Sequence, residues 1–492
     1  MDPSIEKILL VVSILLFISI LAGKASFRIG VPTAVLFLFV GMLAGSEGIG
    51  GIEFDNPSIA QFIGIIALNF ILFSGGFETD WSYVRPVVGP SALLSIFGVL
   101  ITAIVLGIFV WLVTDFTLYE GLLLGSIVSS TDSAAVFSIL RSKKLALKGH
   151  LRSTLEFESG SNDPMASILT IIFITLIINP SGNIWSIIPL FLQQFLIGGA
   201  LGLLFGFAGK FVINKIQLDY EGLYPPLAIT LMLLTYSATN FLKGNGFLAV
   251  YISALYLGNQ ELFHKRTIMK MFDGLAWLMQ IILFTLLGLL VFPSHIVPVI
   301  GIGFLISVFL ILVARPVAVF SCLLPFRMKN RERLFISWVG LRGASSIVFA
   351  TFPFIAGLEK ADTIFNIVFF ISFTSVLLQG ATIPSVAKWL HVALPARIKP
   401  VTPADILLSE PVNTAMAEVI VSEDSPAKGK KIIELDFPEN ARIALLNRGG
   451  KFIIPNGQTE IMPEDKLILI ATSKETLNML IESLCVAKLT EM

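Results

Sequence analysis

Glu158-Ser159-Gly160-Ser161-Asn162-Asp163-Pro164 leads straight into the apolar run from Met165 to Ile178. The reading of this stretch depends on where that run lies. The chain has 492 residues, 55% of them hydrophobic and only 14% charged, with a mean hydropathy of +0.86, far above what the core of a soluble chain requires. A bilayer core needs roughly 20 mainly apolar residues per helix, and such runs recur as far as about residue 390. The stretch therefore belongs to a membrane span. A charge there costs about 2.5 to 3.5 kcal/mol on insertion scales and persists only when paired, hydrated or functional.

Two more polar interruptions match it. Ser129, Ser130, Thr131, Asp132 and Ser133 lie between Leu124 and Val136, and Arg342 stands within Gly340-Leu341-Arg342-Gly343. Facing lipid, Asp132, Glu158, Asp163 and Arg342 would together cost roughly 10 kcal/mol. They must face inward.

The pattern predicts an all-α polytopic membrane protein of about thirteen spans, centred near residues 14, 39, 66, 100, 129, 167, 199, 232, 251, 282, 308, 345 and 375. Basic residues cluster in the odd-numbered connections: Lys24 and Arg28; Arg141, Lys143, Lys144, Lys148 and Arg152; Lys210 and Lys215; His264, Lys265, Arg266 and Lys270; Arg327, Lys329, Arg331 and Arg333. Connections such as 179–183 and 293–298 carry almost none. By the positive-inside rule the N-terminus lies outside and the tail inside. The first apolar run starts near Ile8 without a basic leader or small-residue cleavage site, so no cleavable signal is expected. Six spans, a linker and six more would form an inverted repeat in which the fifth span answers to the twelfth, with a site where broken helices meet.

A carboxylate among hydroxyls and unwound carbonyls suits a hard cation such as Na+ or K+, and the same carboxylate binds a proton. If one site holds either ion but not both, competition couples them. Asn162 is neutral beside Asp163, so one carboxylate titrates per cycle and exchange is one for one and electroneutral. Glu158 and Asn162 share a helix face at i and i+4, within reach of Arg342, and Asp163 is rotated about 100° from Asn162. Each residue also has a plainer reading. Asp163 could be a structural carboxylate, Asp132 could only hydrogen-bond unwound backbone, and Arg342 suits a structural counter-ion better than a cation ligand. Glu78 reads as a helix-end group, Asp273 as interfacial, and Arg315 as a snorkelling or inter-helix residue.

These residues resemble the monovalent cation:proton antiporter-1 family, most closely its NhaP-type potassium/proton antiporters, over roughly residues 9 to 390. The specific marks are Ser130-Thr131-Asp132-Ser133-Ala134-Ala135-Val136-Phe137, the stretch from Glu158 to Pro164, and Gly340-Leu341-Arg342-Gly343. The resemblance implies an NhaA-like fold with discontinuous helices, a six-helix core moving elevator-like against a dimerisation domain, and a homodimer in the inner membrane. It implies that Asp163 binds the ion and proton, that Thr131, Asp132 and Ser159 add ligands or waters, with the alkali cation at Asp163, Thr131 and Ser159, and that Glu158, Asn162 and Arg342 hold the crossing helices together. In the commoner family pattern proline follows the aspartate, whereas here it is Ser133.

The transmembrane domain is expected over 1–390, a linker with Pro395, Pro400, Pro403 and Pro411 over 391–414, and a cytoplasmic domain over 415–492. Short runs at Ala417 to Val421, Lys431 to Leu435, Ala441 to Leu446, Lys451 to Ile454 and Lys466 to Ile470, followed by a helix over Lys474 to Leu484, predict a small α+β fold. Pro463-Glu464-Asp465 resembles the turn of the C-terminal regulator-of-potassium-conductance domain, with Glu464 in place of the usual glycine. Such domains pair and often bind a small ligand, nucleotides among them, although no phosphate-cradling glycine loop is present here. No cofactor is expected beyond the transported K+ or Na+ and H+. Zero net charge points to no nucleic-acid partner, and Cys322 and Cys485 suggest neither a disulfide framework nor a metal site. A ligand-gated potassium channel would need a Thr-Val-Gly-Tyr-Gly filter, and a membrane enzyme a pattern such as His-Glu-x-x-His or Gly-x-Ser-x-Gly. Neither is found.

Overall fold

A computed structural model describes the chain except for residues 1–4, 30–31, 180–184, 186, 396–414, 423–424, 436, 439, 450, 472, 485–486 and 492. Cys485, most of the loop 179–183 and the linker prolines Pro400, Pro403 and Pro411 lie outside the described residues. The chain forms two compact units, Met1–Ala396 and Arg397–Met492.

In the first unit, helices follow one another as α1 (Ile5–Ile29), α2 (Thr33–Ala44), α3 (Pro57–Glu78), α4 (Trp81–Val113), α5 (Leu118–Ile127), α6 (Ser133–Ser142), α7 (Leu151–Ile178), α8 (Ile187–Lys215), α9 (Tyr224–Phe241), α10 (Gly246–Gly258), α11 (Lys265–Leu289), α12 (Pro293–Leu323), α13 (Asn330–Trp338), α14 (Ala344–Ile355) and α15 (Ala361–Trp389). Among the described residues, eight are long and apolar enough to cross a membrane: α1, α3, α4, α7, α8, α11, α12 and α15. The expected centre near 129 falls between α5 and α6, and the centre near 345 falls at the start of α14, after the gap from α13. Both spans are therefore broken, as the polar interruptions predicted.

The helices before these two breaks also resemble each other. α4 opens with a helical turn at Trp81–Val84, tightens to a 3-10 turn at Arg85–Val87 around Pro86, and widens to a π turn at Leu94–Gly98. α12 repeats this with Pro293–Ile296, Val297–Val299 around Pro298, and Leu310–Ala314. Two spans with the same order of irregularities, each followed by a broken helix, support the division into related halves.

Small residues allow close helix crossings. A Cβ at Gly121 in α5 would lie 2.5 Å from the Gly107 carbonyl oxygen in α4, so the two backbones touch directly. Beyond α15, a strand β2 (Ala393–Pro395) pairs antiparallel with β1 (Leu145–Leu147) in the α6–α7 connection, and the Lys148 N–H donates to the Val392 carbonyl at 2.9 Å. The first unit therefore continues past 391, where the linker was expected to begin. Strands of three residues are too short to leave a pattern in the sequence.

The second unit is the expected α+β fold. Strands β3 (Ala415–Ile420), β4 (Ala441–Arg448), β5 (Lys451–Ile453), β6 (Lys466–Ala471) and β7 (Ala487–Glu491) form one sheet in the order β5-β4-β6-β3-β7, and helix α16 (Lys474–Leu484) contributes Leu477, Leu480 and Leu484 to its core. The run at 431–435 is not a strand: Ile432–Glu434 is a 3-10 turn, with the Lys431 N–H donating to the Glu434 carboxylate at 3.1 Å. Asp465 is fully buried and accepts two hydrogen bonds from Arg448, at 2.8 and 2.7 Å. That contact raises the Arg448 guanidinium above its usual range, the Asp465 hydrogen bonds contributing most. Glu464 adopts φ 66°, a left-handed conformation that glycine takes without steric cost.

Candidate functional site

The two breaks meet. The Asp132 N–H donates to the Leu341 carbonyl at 2.8 Å, joining the extended segment between α5 and α6 to the one between α13 and α14. Four helix ends thus converge, and their unpaired N–H and C=O groups need partners. Asp132 is the N-cap of α6, its Oδ1 accepting from the Ala135 N–H at 3.2 Å. A carboxylate there complements the positive end of the helix dipole. At the opposite polarity, Arg342 Nη1 donates to the Ser129 and Ser130 carbonyls, both at 2.7 Å, just past the C-terminal end of α5. Gln379 of α15 donates to the Trp338 carbonyl at the end of α13 at 2.7 Å, and accepts from Ser375, which also accepts from the Arg342 N–H.

α7 runs past this crossing. Its Ser159 hydroxyl donates to the Thr131 carbonyl at 2.8 Å and accepts from the Ser133 N–H at 3.0 Å. Asn162 donates through Nδ2 to the Thr131 hydroxyl at 2.7 Å. Asp163 faces the hydroxyls of Ser130 and Ser345, which lie 3.0 Å apart, and stands within electrostatic reach of Asp132. The buried Oδ1 of Asp163 has no hydrogen-bond partner within the protein, and neither does the Asn162 Oδ1. An oxygen-lined place with an unpaired carboxylate oxygen suits a hard monovalent cation or a proton. The structure brings Thr131, Asp132, Ser159, Asn162 and Asp163 together.

Glu158 differs from expectation. Its carboxylate pairs with Arg315 at 2.5 Å, with both side chains almost wholly buried, while Arg342 is turned to the α5 carbonyls. The i, i+4 spacing placed Glu158 and Asn162 on one face but could not identify the cation opposite. Arg315 follows the π turn of α12 directly, and its position inside an apolar span was the available signal, at the same insertion cost as Arg342. Ser345, Ser375 and Gln379 were missed because uncharged polar residues in a span are common.

A family model described as "Sodium/hydrogen exchanger, transmembrane" matches residues 12–389. The chain belongs to the sodium/hydrogen exchanger family. A second model, the TrkA-C domain, matches residues 416–484 of the exchanger. Its sequence is 39% identical over 473 residues to the K(+)/H(+) antiporter NhaP of Alkalimonas amylolytica, covering 95% of this chain and 81% of that protein. It is 38% identical over 474 residues to the K(+)/H(+) antiporter NhaP2 of Shewanella baltica, covering 96% and 82%. Its fold matches the sodium proton antiporter MjNhaP1 of Methanocaldococcus jannaschii with a TM-score of 0.68 at 24% identity, over 77% of this chain and 97% of that one. The exchanger is thus a multi-pass membrane cation:proton antiporter, a transporter and not an enzyme.

Proposed function

We propose that this exchanger moves K+ against H+, one for one and without net charge, with Asp163 as the carrying carboxylate. The observation that carries the reading is the buried, unpaired Oδ1 of Asp163 beside the hydroxyls of Ser130 and Ser345. Ionised, Asp163 binds the cation with oxygens from Thr131 and Ser159 nearby and Asp132 as a neighbouring charge. Protonated, it releases the cation. One carboxylate neutralised by either ion leaves the loaded carrier with the same charge in both directions. Glu158, Asn162 and Arg342 keep the crossing in place: Glu158 through Arg315, Asn162 through Thr131, Arg342 through the α5 carbonyls.

The unit carrying this site moves elevator-like within a homodimer in the inner membrane, with the N-terminus outside and the tail inside, in accord with the basic connections. The tail over 415–492 acts as a regulatory domain that takes a small ligand, nucleotides included, and the transmembrane domain ends before the linker. K+ is preferred because the two NhaP relatives are named K(+)/H(+) antiporters. Na+ is the second reading, since MjNhaP1 is a sodium proton antiporter.

The test is reconstitution in liposomes with an imposed pH gradient, adding K+, Na+ or Li+ in turn. K+ should collapse the gradient in the wild type and not in Asp163→Asn, and clamping the membrane potential should change nothing. Exchange at wild-type rate in Asp163→Asn would falsify the site.

A further inference from the structure

Gly160 stands in the middle of the Glu158–Pro164 motif, and nothing in the crossing described above uses it. On α7, Glu156, Gly160 and Asp163 fall at i, i+4 and i+7, so they share one face, one above another. That face is covered at Gly160 by Tyr251 of α10. A Cβ on residue 160 would lie 2.5 Å from Tyr251 Cε2 and 2.8 Å from its hydroxyl oxygen, a distance at which the ring could not stay. The ring also meets Phe157 edge-on, with centroids 6.4 Å apart.

Tyr251 is 3% exposed, and its hydroxyl has no hydrogen-bond partner within the protein. For packing alone, phenylalanine would fill the same space without an unpaired polar group, and buried tyrosines ordinarily find a partner. On the side away from Asp163, the hydroxyl lies within electrostatic reach of Glu156. Glu156 is partly exposed, bonded to Arg152 at 2.8 Å. Glu78 of α3 is within reach of Asp273 of α11, Glu156 and Arg141. Three carboxylates from three helices, flanked by two arginines, therefore lie at one end of the α7 face, with Asp163 further along it. Tyr251 sits between.

We propose that Tyr251 is a gate on the ion path between the Glu156 end of α7 and Asp163. Its ring closes the path over Gly160, and its hydroxyl supplies an oxygen ligand to the passing cation, replacing part of the hydration shell as pore oxygens do. Glycine at 160 is what lets the ring seat there. The inference rests on Asp163 being the carrying carboxylate.

The experiment compares K+/H+ exchange in proteoliposomes, with K+ varied, for the wild type, Asp163→Asn, Tyr251→Phe, Gly160→Ala and the double variant Gly160→Ala/Tyr251→Ala. Losing a binding oxygen while keeping the ring should raise the KM for K+ roughly three- to tenfold in Tyr251→Phe, with the maximal rate within about twofold of wild type. Gly160→Ala should slow exchange at least about tenfold, in line with the loss that small misplacements near a reacting centre cause. Removing the ring in the double variant should restore part of that rate, which a slowing unrelated to the ring would not do, and the KM for K+ should stay raised as in Tyr251→Phe, which relief of packing alone would not produce. A wild-type KM in Tyr251→Phe, or a double variant as slow as Gly160→Ala, overturns the gate. If Asp163→Asn still exchanges at the wild-type rate, the site itself fails and the gate with it. An inactive Asp163→Asn alongside a wild-type KM in Tyr251→Phe removes the gate alone.

Discussion

Glu158 and Arg315 are 157 positions apart in the chain and 2.5 Å apart in space. Two charges buried this deeply recover most of their desolvation through each other, with Arg342 as a further charge within electrostatic reach of both, so the loss of one leaves the other poorly compensated at roughly 3 to 5 kcal/mol. Replacing both with uncharged residues of similar size removes the desolvation cost along with the attraction. Glu158→Gln and Arg315→Met should each lower the thermal stability of the detergent-solubilised protein by an amount in that range, and the double variant should lie closer to wild type than either. Additive losses in the double variant would mean that the two charges do not depend on each other. Glu158 was legible because a carboxylate in a span demands an explanation. Its partner was not, because pairing across that distance in the chain leaves no periodic trace. Tyr251 was less legible still, since a tyrosine carries no charge and costs little in an apolar span. Asp163 and Asn162 stand at the opposite extreme, where neighbouring residues name the motif.

Among the elements, hydropathy made the long spans readable, and the polar interruptions marked both breaks. The 3-10 and π turns shared by α4 and α12 were hidden, because the residues forming a π turn are ordinary apolar ones and the widening is imposed by packing. The breaks themselves depend on how closely two extended segments approach. A Cβ at Gly343 would lie 2.6 Å from both Cβ and Oδ2 of Asp132, so any side chain there pushes Asp132 away from its cap on α6. A lost N-cap costs about 0.5 to 2 kcal/mol, and the displaced carboxylate also stands close to Asp163. Gly75 in α3 is the contrast: a Cβ there meets nothing within 4 Å, and alanine in an exposed helix interior is favoured by about 1 kcal/mol over glycine. Gly343→Ala should reduce exchange at least about tenfold, the scale of a small misplacement at a reacting centre, while Gly75→Ala exchanges normally. Equal activity of the two variants would show that the crossing tolerates separation.

At the scale of the whole molecule, the change of composition near residue 390 revealed two bodies, but not where the first one closes. Its packing continues through Val392, which is buried in one core cluster with Ile139, Leu140, Leu151 and Leu155, and through β2, which pairs with β1. Among the described residues, the tail core draws only on residues from 417 onward, and the other core clusters only on residues up to 393. Each body therefore holds its own hydrophobic core, and a cut between them removes no core side chain from the first. A chain ending at Ala396 should keep K+/H+ exchange and the thermal stability of the transmembrane unit. A chain ending at Leu390 loses the Val392 side chain, whose burial contributes about 1.5 to 3 kcal/mol, and leaves the β1 ladder groups and the Lys148 N–H without their partners. Those groups lie in the connection between α6, capped by Asp132, and α7, which carries Asp163. The shorter chain should therefore unfold at lower temperature in detergent and exchange more slowly in liposomes. Identical melting and exchange for the two truncations would show that the strand pair adds nothing to the first body, whereas loss of exchange on ending at Ala396 would mean that transport requires the tail.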